Sequence, residues 1–279
     1  MKRFAILGYP LGHTMSPPIH KRLFELGGQQ AEYEVLQTQP DQFEALWPYL
    51  RQLDGFNVTI PYKQQIIPFC AQLDDTAKRY GAVNVVDCKN GGVGYNTDCV
   101  GFLRSLEGIP LKGEVLVAGA GGVGRMFAIE SARHGARVTL AVRQSSIERA
   151  LELQREMERE IPGAAARVVT LDSLPQEEAR YRWLINATPA GMYPKVDDMP
   201  LDPSVLPRCE NVFEAIYNPV QTKLMRLAQQ AGCRVIGGMA MLVWQAVQAP
   251  QYWYGAQYRE EDIAALIREM EKQVEGADG

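Results

Sequence analysis

The sequence predicts an α/β protein built as two unlike lobes. Short runs of β-branched and apolar residues alternate with stretches of helical spacing along most of the 279 residues, a pattern typical of sheets whose strands are joined by helices. The length corresponds to roughly two domains at about 150 residues each. Hydrophobic residues make up 46% and charged residues 22% of the chain, so the composition excludes collagen-like, disordered and disulfide-scaffold proteins.

The charges, the cysteines and the apolar runs narrow the class further. There are 29 Lys and Arg against 33 Asp and Glu and no basic block, so we expect no nucleic-acid partner. The five cysteines are far apart, and neither they nor the three histidines show metal-ligand spacing, which predicts reduced thiols and no metal. No apolar run approaches the roughly 20 residues of a membrane span, so we expect a cytoplasmic protein without a membrane partner.

The first half opens with a predicted βα unit. Residues 4–8 have the pattern of a strand, and residues 17–26 carry apolar side chains at helical spacing. We expect Ser16 to be the N-cap of this helix, with Pro17 at its first position and Gly27-Gly28 ending it. Further strands are predicted at 33–36, 56–60, 83–87 and 93–95. A tight turn at Asn90-Gly91 joins the last two strands.

The second half begins with a strand at 114–118, after a linker at 106–112 that contains Gly108 and Pro110. Further strands are predicted at 138–142, 168–171, 183–186, 212–216 and 235–236. After 237–238 the pattern is helical to the end of the chain. We expect a cleft between the two lobes.

A glycine-rich stretch directly follows the strand at 114–118 and opens a helical run at 125–134. It fits GxGxxG and consists of Gly119, Ala120, Gly121, Gly122, Val123 and Gly124. Glycines at this spacing allow a tight turn, close approach of the backbone to a pyrophosphate, and packing of helix on strand. A plain glycine-rich βα turn is the alternative, but strand, helix and second strand together favour a Rossmann-type, doubly wound dinucleotide-binding domain.

The end of the second strand of this unit indicates which dinucleotide is bound. NAD-binding proteins place an acidic residue there, about 20 residues after the glycines, to bind the ribose 2′-hydroxyl. Here Arg143 occupies the position, and no carboxylate occurs before Glu148. A guanidinium suits a 2′-phosphate, so NADP is favoured, while a solvated loop cation and use of NAD remain open.

Polar side chains in the first half form a candidate substrate site. Thr14 and Ser16 place two hydroxyls at a predicted helix N-terminus, where a small carboxylate can bind. Asn57 and Thr59 share one face of a predicted strand, and Lys63 follows at its carboxyl end, where α/β proteins bind ligands. A capped strand followed by a solvated lysine is the alternative interpretation.

Taken together, these motifs resemble the shikimate dehydrogenase family along almost the whole chain. The matches, in chain order, are 8–16 with Pro17 and His20, 57–63, 81–84, 96–102, the glycine loop, 186–188 with Gly191 and Met192, 217–219 with Thr222 and Leu224, and 238–242 with Gln245. Eight separated motifs in the same order make a specific signal.

The resemblance implies reversible NADP-dependent reduction of 3-dehydroshikimate to shikimate, a step of aromatic amino-acid biosynthesis. It implies that Lys63 and Asp98 form the catalytic pair. The substrate-binding residues that it implies are Thr14, Ser16, Asn57, Thr59, Asn84, Tyr217 and Gln245. Its cofactor-binding residues are the glycine loop, Arg143, Thr188 and Gly238. It also implies that the C-terminal helices complete the first lobe, giving a substrate-binding domain of residues 1–105 with 238–279 and an NADP-binding domain of residues 106–237.

The chemistry of the residues agrees with this activity. Reduction of a ketone builds negative charge on its oxygen, so the site needs a proton donor or a cation within hydrogen-bond reach. Lys63 can provide either, and since the sequence does not separate the two roles, we assign Lys63 and Asp98 jointly.

Other assignments stay open at this stage. Thr14 stands where serine is usual, so quinate is a further candidate substrate, and Val142-Arg143-Gln144 replaces the usual Asn-Arg-Thr of the NADP loop. Glu214 replaces a usual aspartate. A methylene dehydrogenase acting on a folate and a non-catalytic dinucleotide sensor are the rival functions, and the chain can be a monomer or a homodimer.

Overall fold

The computed structural model describes residues 1–12 and 14–277, so His13 of the segment at 8–16 lies outside the described residues. Within these ranges the chain forms two sheets of six strands each, joined largely by helices. This confirms the predicted α/β class. Packing divides the chain into two compact units, Met1–Phe102 with Leu242–Met270, and Leu103–Met241 with the chain from Glu271 onward. The assignment of a substrate domain and a cofactor domain to particular residues stays a prediction.

Apart from a two-residue strand at Gln72–Leu73, which was not predicted, the strands are short and follow the predicted positions to within a few residues. In chain order they are β1 (Lys2–Gly8), β2 (Ala31–Gln37), β3 (Gly55–Val58), β4 (Gln72–Leu73), β5 (Val85–Asp87), β6 (Val93–Tyr95), β7 (Gly113–Ala118), β8 (Ala136–Val142), β9 (Ala165–Thr170), β10 (Tyr181–Asn186), β11 (Cys209–Glu214) and β12 (Arg234–Ile236).

The helices lie between these strands and at the end of the chain. They are α1 (Ser16–Leu26), α2 (Phe43–Leu50), α3 (Asp75–Tyr80), α4 (Asp98–Ser105), α5 (Gly122–Arg133), α6 (Ile147–Glu160), α7 (Lys223–Gln230), α8 (Gly238–Tyr254) and α9 (Glu260–Ala277). Among the residues that the structure describes, no helix is both long and apolar enough to span a bilayer.

The sheet of the first unit is mixed and has the strand order β2-β1-β3-β5-β6-β4. β1 is parallel to β2 and β3, whereas β5 is antiparallel to both β3 and β6. The short connection between β5 and β6 allows this reversal, because parallel neighbours need a long crossover. That connection spans 88–92 and contains a single turn of 3₁₀-helix at Lys89–Gly91; it is longer than the predicted two-residue turn.

Alternation along β1 gives this sheet an apolar core on each face. Ala5 and Leu7 pack with the buried side chains of Phe43 and Leu50 from α2. Phe4, on the opposite face, stacks on Trp253 of α8 with ring centroids 4.3 Å apart. Helix α8, late in the chain, therefore contributes to the core of the first unit.

The sheet of the second unit is parallel throughout and has the order β12-β11-β10-β7-β8-β9. Numbered within the unit, this is the doubly wound order in which the chain reverses direction across the sheet between β7 and β10. The central strand β7 is buried over Val115–Ala118. This strand order confirms the predicted Rossmann-type architecture. In such sheets, ligands bind outside the carboxyl ends of the strands at the reversal point.

The predicted N-cap at Ser16 is wrong. Ser16 is the first residue of α1, Met15 precedes it, and no side chain caps this helix. A capping oxygen needs the N–H groups two or three positions further on. Pro17 and Pro18 have no such group, and the N–H of Ile19 donates to the Met15 carbonyl at 3.2 Å. The Ser16 hydroxyl is therefore free for other partners.

Candidate active site

The Lys63 ammonium and the Asp98 carboxylate are in direct contact in the first unit. Nζ of Lys63 lies 2.6 Å from Oδ2 of Asp98, and the two side chains are 24% and 14% exposed. Lys63 lies in the turn after β3, where its carbonyl accepts the Val83 N–H at 2.7 Å. Asp98 is the first residue of α4, and its N–H donates to Oδ1 of Asn96 at 3.1 Å. Two residues separated by 35 positions in sequence thus form a partly buried ion pair.

Asn84 orients the Asp98 carboxylate by bonding the oxygen that does not contact Lys63. Its Nδ2 donates to Oδ1 of Asp98 at 2.8 Å and to Oγ1 of Thr97 at 2.9 Å, and its Oδ1 accepts the Thr97 N–H at 2.8 Å. Oε1 of Gln245, from α8, lies 3.3 Å from the same Nδ2. Because Asn84 is buried with all of these groups bonded, Asp98 is held with Oδ2 turned to Lys63.

Thr97 is a member of this cluster that the sequence analysis did not single out. Its hydroxyl bonds Asn84 and lies 3.4 Å from Oε1 of Gln245, so it connects the start of α4 to α8. A threonine directly before the predicted catalytic aspartate, within the motif at 96–102, was the available signal.

A second group of polar side chains lies at α1, β2 and β3. Asn57, on β3, accepts a hydrogen bond from the phenol of Tyr33 at 2.7 Å, and Tyr33 also interacts with the Ser16 side chain. The ring of His20 stacks on that of Tyr33 with centroids 4.5 Å apart. Burial lowers the pKa of His20 to about 3, against the effect of its contact with Asn57, so His20 is neutral at physiological pH. The sequence analysis did not single out Tyr33.

Thr14, shortly before α1, and Thr59, directly after β3, are both half-buried. Oγ1 of Thr14 accepts the Ser16 N–H at 3.3 Å. The backbone of Thr59 bonds the Leu7 carbonyl at 2.9 Å, and its methyl group lies so close to Gly8 that a Cβ there would overlap it. Gly8 therefore brings β1 and the end of β3 close together.

In the glycine loop of the second unit, the first and last glycines differ from the two between them in what requires glycine at the position. Gly119 has φ +101°, in the left-handed region that favours glycine, and a Cβ on Gly124 would overlap the Gly119 carbonyl oxygen. By contrast, no atom lies within 4 Å of a Cβ built on Gly121 or Gly122. Gly121 directly precedes α5, so this open space faces the helix N-terminus, where a phosphate binds best.

Arg143 is exposed directly after β8. Its carbonyl accepts the Ser146 N–H at 2.8 Å, but within the described residues its side chain takes part in no ion pair or hydrogen bond, so its guanidinium is available to a ligand. The open space at Gly121 and Gly122 and this unpaired cation fit the pyrophosphate and the 2′-phosphate of NADP.

The buried end of the second sheet contains a polar cluster around Glu214. The carboxylate accepts hydrogen bonds from Nδ2 of Asn186 at 2.9 Å, from the Ile216 N–H at 3.1 Å and from the Thr222 hydroxyl at 3.0 Å. Burial raises the pKa of Glu214 to about 7. Asn186 in turn accepts from the N–H and the hydroxyl of Thr188, at 3.0 and 2.8 Å. Thr188 is thus anchored through Asn186, which the sequence analysis quoted only as part of a motif.

Gly238 and Tyr217 also belong to the second unit, and neither is part of the glycine loop. A Cβ on Gly238 would overlap the Ala215 carbonyl oxygen, so close packing at the start of α8 already requires glycine there. Tyr217 lies in the second unit after β11, and burial raises the pKa of its phenol. The roles predicted for both residues stay predictions.

Comparisons with known proteins identify relatives of this chain. Residues 6–86 match the family model described as the shikimate dehydrogenase substrate binding domain. Shikimate dehydrogenase (NADP(+)) of Moorella thermoacetica is 34% identical over 282 residues, covering 99% of this chain and 94% of the relative. The enzyme of the same name from Symbiobacterium thermophilum is 37% identical over 263 residues, with 90% and 88% covered.

Solved structures agree along nearly the whole chain. Shikimate 5-dehydrogenase of Thermus thermophilus, in complex with NADP(H) and shikimate, has a TM-score of 0.83 at 32% identity and covers 96% of this chain and 99% of its own. A chorismate mutase/shikimate 5-dehydrogenase fusion protein of Clostridium acetobutylicum has a TM-score of 0.88 at 26% identity, with 99% of each chain covered. With identities above 30% to several full-length relatives, the chain belongs to the shikimate dehydrogenase family.

Proposed function

We propose that this protein catalyses the reversible NADP-dependent reduction of 3-dehydroshikimate to shikimate, with Lys63 and Asp98 as the catalytic pair. The observation that carries this assignment is the 2.6 Å contact between Nζ of Lys63 and Oδ2 of Asp98, in a chain whose full-length relatives are NADP-dependent shikimate dehydrogenases. The pair lies beside three amide and hydroxyl side chains suited to a polyhydroxylated ring, those of Asn84, Thr97 and Gln245.

Lys63 stabilises the charge that develops during the reaction. When bound, the reduced nicotinamide supplies the hydride for the ketone carbon. As negative charge builds on the ketone oxygen, the Lys63 ammonium donates a hydrogen bond and then its proton to that oxygen, giving the alcohol. In the oxidation direction the neutral Lys63 amine accepts the hydroxyl proton. Asp98 keeps the Lys63 nitrogen in position through their 2.6 Å contact.

The remaining residues divide between the two ends of the substrate. Thr14 and Ser16 carry the hydroxyls for the carboxylate, with Thr59 and Tyr217 supporting them. Asn57, Asn84 and Gln245 bond the ring hydroxyls. Hydroxyl and amide groups suit this substrate because leaving a buried polar group unpaired costs about 1–3 kcal/mol, so they discriminate strongly against analogues that lack a hydroxyl.

The cofactor is held by the backbone of the glycine loop and by Arg143, together with Thr188, whose methyl group lies beside Gly119, and Gly238 of the same unit. The open space at Gly121 and Gly122 supports binding of the pyrophosphate there, and the unpaired Arg143 supports a preference for the 2′-phosphate. The cytoplasmic location and the monomeric or homodimeric state stay predictions from the sequence.

A spectrophotometric assay tests this proposal directly. Purified protein with shikimate and NADP⁺ should generate absorbance of the reduced nicotinamide, and exchange of shikimate for quinate or of NADP⁺ for NAD⁺ should lower kcat/KM. Efficient turnover with quinate would broaden the substrate class. If NADP⁺ binds tightly and neither acid is oxidised, the protein is a dinucleotide sensor rather than a dehydrogenase.

A further inference from the structure

Tyr33 connects two residues of the proposed substrate site that come from different elements. Ser16 begins α1 and Asn57 lies on β3, while Tyr33 lies on β2 at the edge of the sheet. The strand register explains the connection, since Tyr33 is paired with Phe4 and Asn57 with Ile6 across the intervening β1. Phe4 and Ile6 share a face of β1, so Tyr33 and Asn57 share it too.

The hydrogen bonds of Tyr33 have a defined direction. A phenol has a single hydrogen, and that of Tyr33 is donated to Oδ1 of Asn57 at 2.7 Å. The Ser16 side chain favours the ionised form of this phenol, the effect of a donor, so we place the Ser16 hydroxyl as a donor toward the phenol oxygen. Burial raises the pKa of Tyr33 well above its ordinary value, so Tyr33 keeps its proton throughout the physiological range.

The ring of Tyr33 is itself held in place. It stacks on the neutral, buried ring of His20 at an interplanar angle of 16°. His20 lies one turn further along α1 than Ser16, so Tyr33 contacts α1 at two points. Its phenol therefore has little freedom to leave Asn57.

We propose that Tyr33 is a positioning residue of the substrate site, which fixes the Ser16 hydroxyl and the Asn57 amide relative to each other. This inference rests on the proposed function, in which Ser16 binds the substrate carboxylate and Asn57 a ring hydroxyl. With Oδ1 of Asn57 occupied by Tyr33, its Nδ2 faces the ligand as a donor. When a carboxylate binds, the Ser16 hydrogen turns from the phenol to the ligand by rotation about one bond, and the Ser16 oxygen stays where it is.

Tyr33→Phe tests the proposal because it removes one oxygen and keeps the ring on His20. We expect the KM for shikimate to rise about 3- to 10-fold, the effect of one hydrogen bond, with kcat within about 2-fold of the wild type and the KM for NADP⁺ unchanged. Shikimate methyl ester provides a second readout. The ratio of kcat/KM for shikimate to that for the ester should fall in the variant, because Ser16 no longer lies where it meets the carboxylate.

Tyr254→Phe is the matched control. Tyr254 belongs to the same aromatic cluster, 6.5 Å from Phe24, and its hydroxyl lies 3.4 Å from that of Tyr258. This variant should keep wild-type values of KM and of the ester ratio. If Tyr33→Phe lowers the melting temperature and the active fraction while both readouts match the wild type, Tyr33 is only structural and the inference is wrong. If the wild-type protein itself oxidises no shikimate, the proposed function fails first and this inference fails with it.

Discussion

Asn84 donates a hydrogen bond to one carboxylate oxygen of Asp98 at 2.8 Å, while the other oxygen of Asp98 contacts the Lys63 ammonium at 2.6 Å. The carboxylate therefore has a fixed orientation before any ligand arrives. Such preorganisation lets a cation stabilise developing charge without reorganising during the reaction. The catalytic assignment of Lys63 depends on this arrangement.

Lys63→Ala should remove most of the turnover and leave substrate binding nearly intact. Loss of a general acid–base group typically costs about 10²–10⁴-fold in rate. The variant keeps Asn84 and Gln245, proposed to bind the ring hydroxyls, and Ser16, proposed to bind the carboxylate. We expect kcat to fall at least about 100-fold and the dissociation constant for shikimate, measured by calorimetry, to change less than about 5-fold.

Lys78→Ala is the control for this substitution. Lys78 forms an ion pair with Asp75 in the same unit, but at 3.9 Å and with side chains 62% and 91% exposed, so its loss should change neither stability nor kcat. A kcat for Lys63→Ala close to that of the wild type would contradict the role of Lys63.

Arg143→Gln should lower the preference for NADP. The guanidinium lies exposed after β8, without an ion-pair partner in the described residues, and in the proposed function it binds the 2′-phosphate that NAD lacks. Hydrogen bonds to charged groups contribute about 1.5–3 kcal/mol, so kcat/KM for NADP⁺ should fall roughly 10- to 100-fold while that for NAD⁺ stays within about 2-fold. Arg149→Gln, an exposed arginine on α6, should change neither value. Equal losses with both cofactors would show that Arg143 does not read the 2′-phosphate.

Gly121→Ala and Gly124→Ala should distinguish a glycine that leaves room for the ligand from a glycine that is required by packing within the protein. A methyl group on Gly124 overlaps the Gly119 carbonyl oxygen, whereas one on Gly121 meets no atom within 4 Å. Gly124→Ala should therefore lower the melting temperature of the free protein. Gly121→Ala should leave that temperature unchanged or slightly raised and still weaken NADP⁺ binding, because the methyl group occupies the space left for the pyrophosphate.

Thermal unfolding with and without NADP⁺ measures both effects at once. The melting temperatures of Gly121→Ala and Gly124→Ala are compared with those of the wild type and of Gly122→Ala, which changes the neighbouring open position. A Gly121→Ala variant that is stabilised by NADP⁺ as strongly as the wild type would show that the pyrophosphate binds elsewhere.

The glycine loop and its sheet could be predicted from sequence because local rules suffice for them. A strand, three glycines at fixed spacing and a helix form one continuous stretch, and the close approach of Gly124 to Gly119 involves residues only five positions apart. The N-cap at Ser16 was predicted by the same kind of rule and failed. The rule considered the capping side chain but not the two N–H groups that it would bind, of which one is missing at Pro18 and the other, at Ile19, donates to the Met15 carbonyl.

The connections within the site could not be predicted in this way. The bonds from Asn84 to Gln245 and from Tyr33 to Asn57 depend on strand order and register, which join residues 161 and 24 positions apart. Tyr33 looks like any other strand residue until β1 is placed between β2 and β3. For Glu214 a local signal existed, since it is the one charged residue of the otherwise apolar strand predicted at 212–216, but its partners Asn186 and Thr222 lie on separate segments.

Glu214→Gln should change how stability depends on pH. Burial raises the pKa of Glu214 to about 7 in the folded protein, against an ordinary value near 4.3 in the unfolded chain. Between these values the unfolded chain loses the proton while the folded protein keeps it, so the unfolding free energy falls as pH rises from about 4.5 to about 7 and is flat above. At about 1.4 kcal/mol per pH unit, this one residue accounts for a loss of roughly 4 kcal/mol.

Urea denaturation at several pH values between about 4.5 and about 8 measures this contribution. Glutamine does not titrate, so the unfolding free energy of Glu214→Gln should lack the fall with pH that Glu214 causes. The stability of the variant relative to the wild type should therefore increase as pH rises. Glu210→Gln, on the same strand but exposed, should follow the wild-type curve. Parallel wild-type and Glu214→Gln curves would mean that the hydrogen bonds from Asn186, Ile216 and Thr222 outweigh the effect of burial and keep the carboxylate ionised.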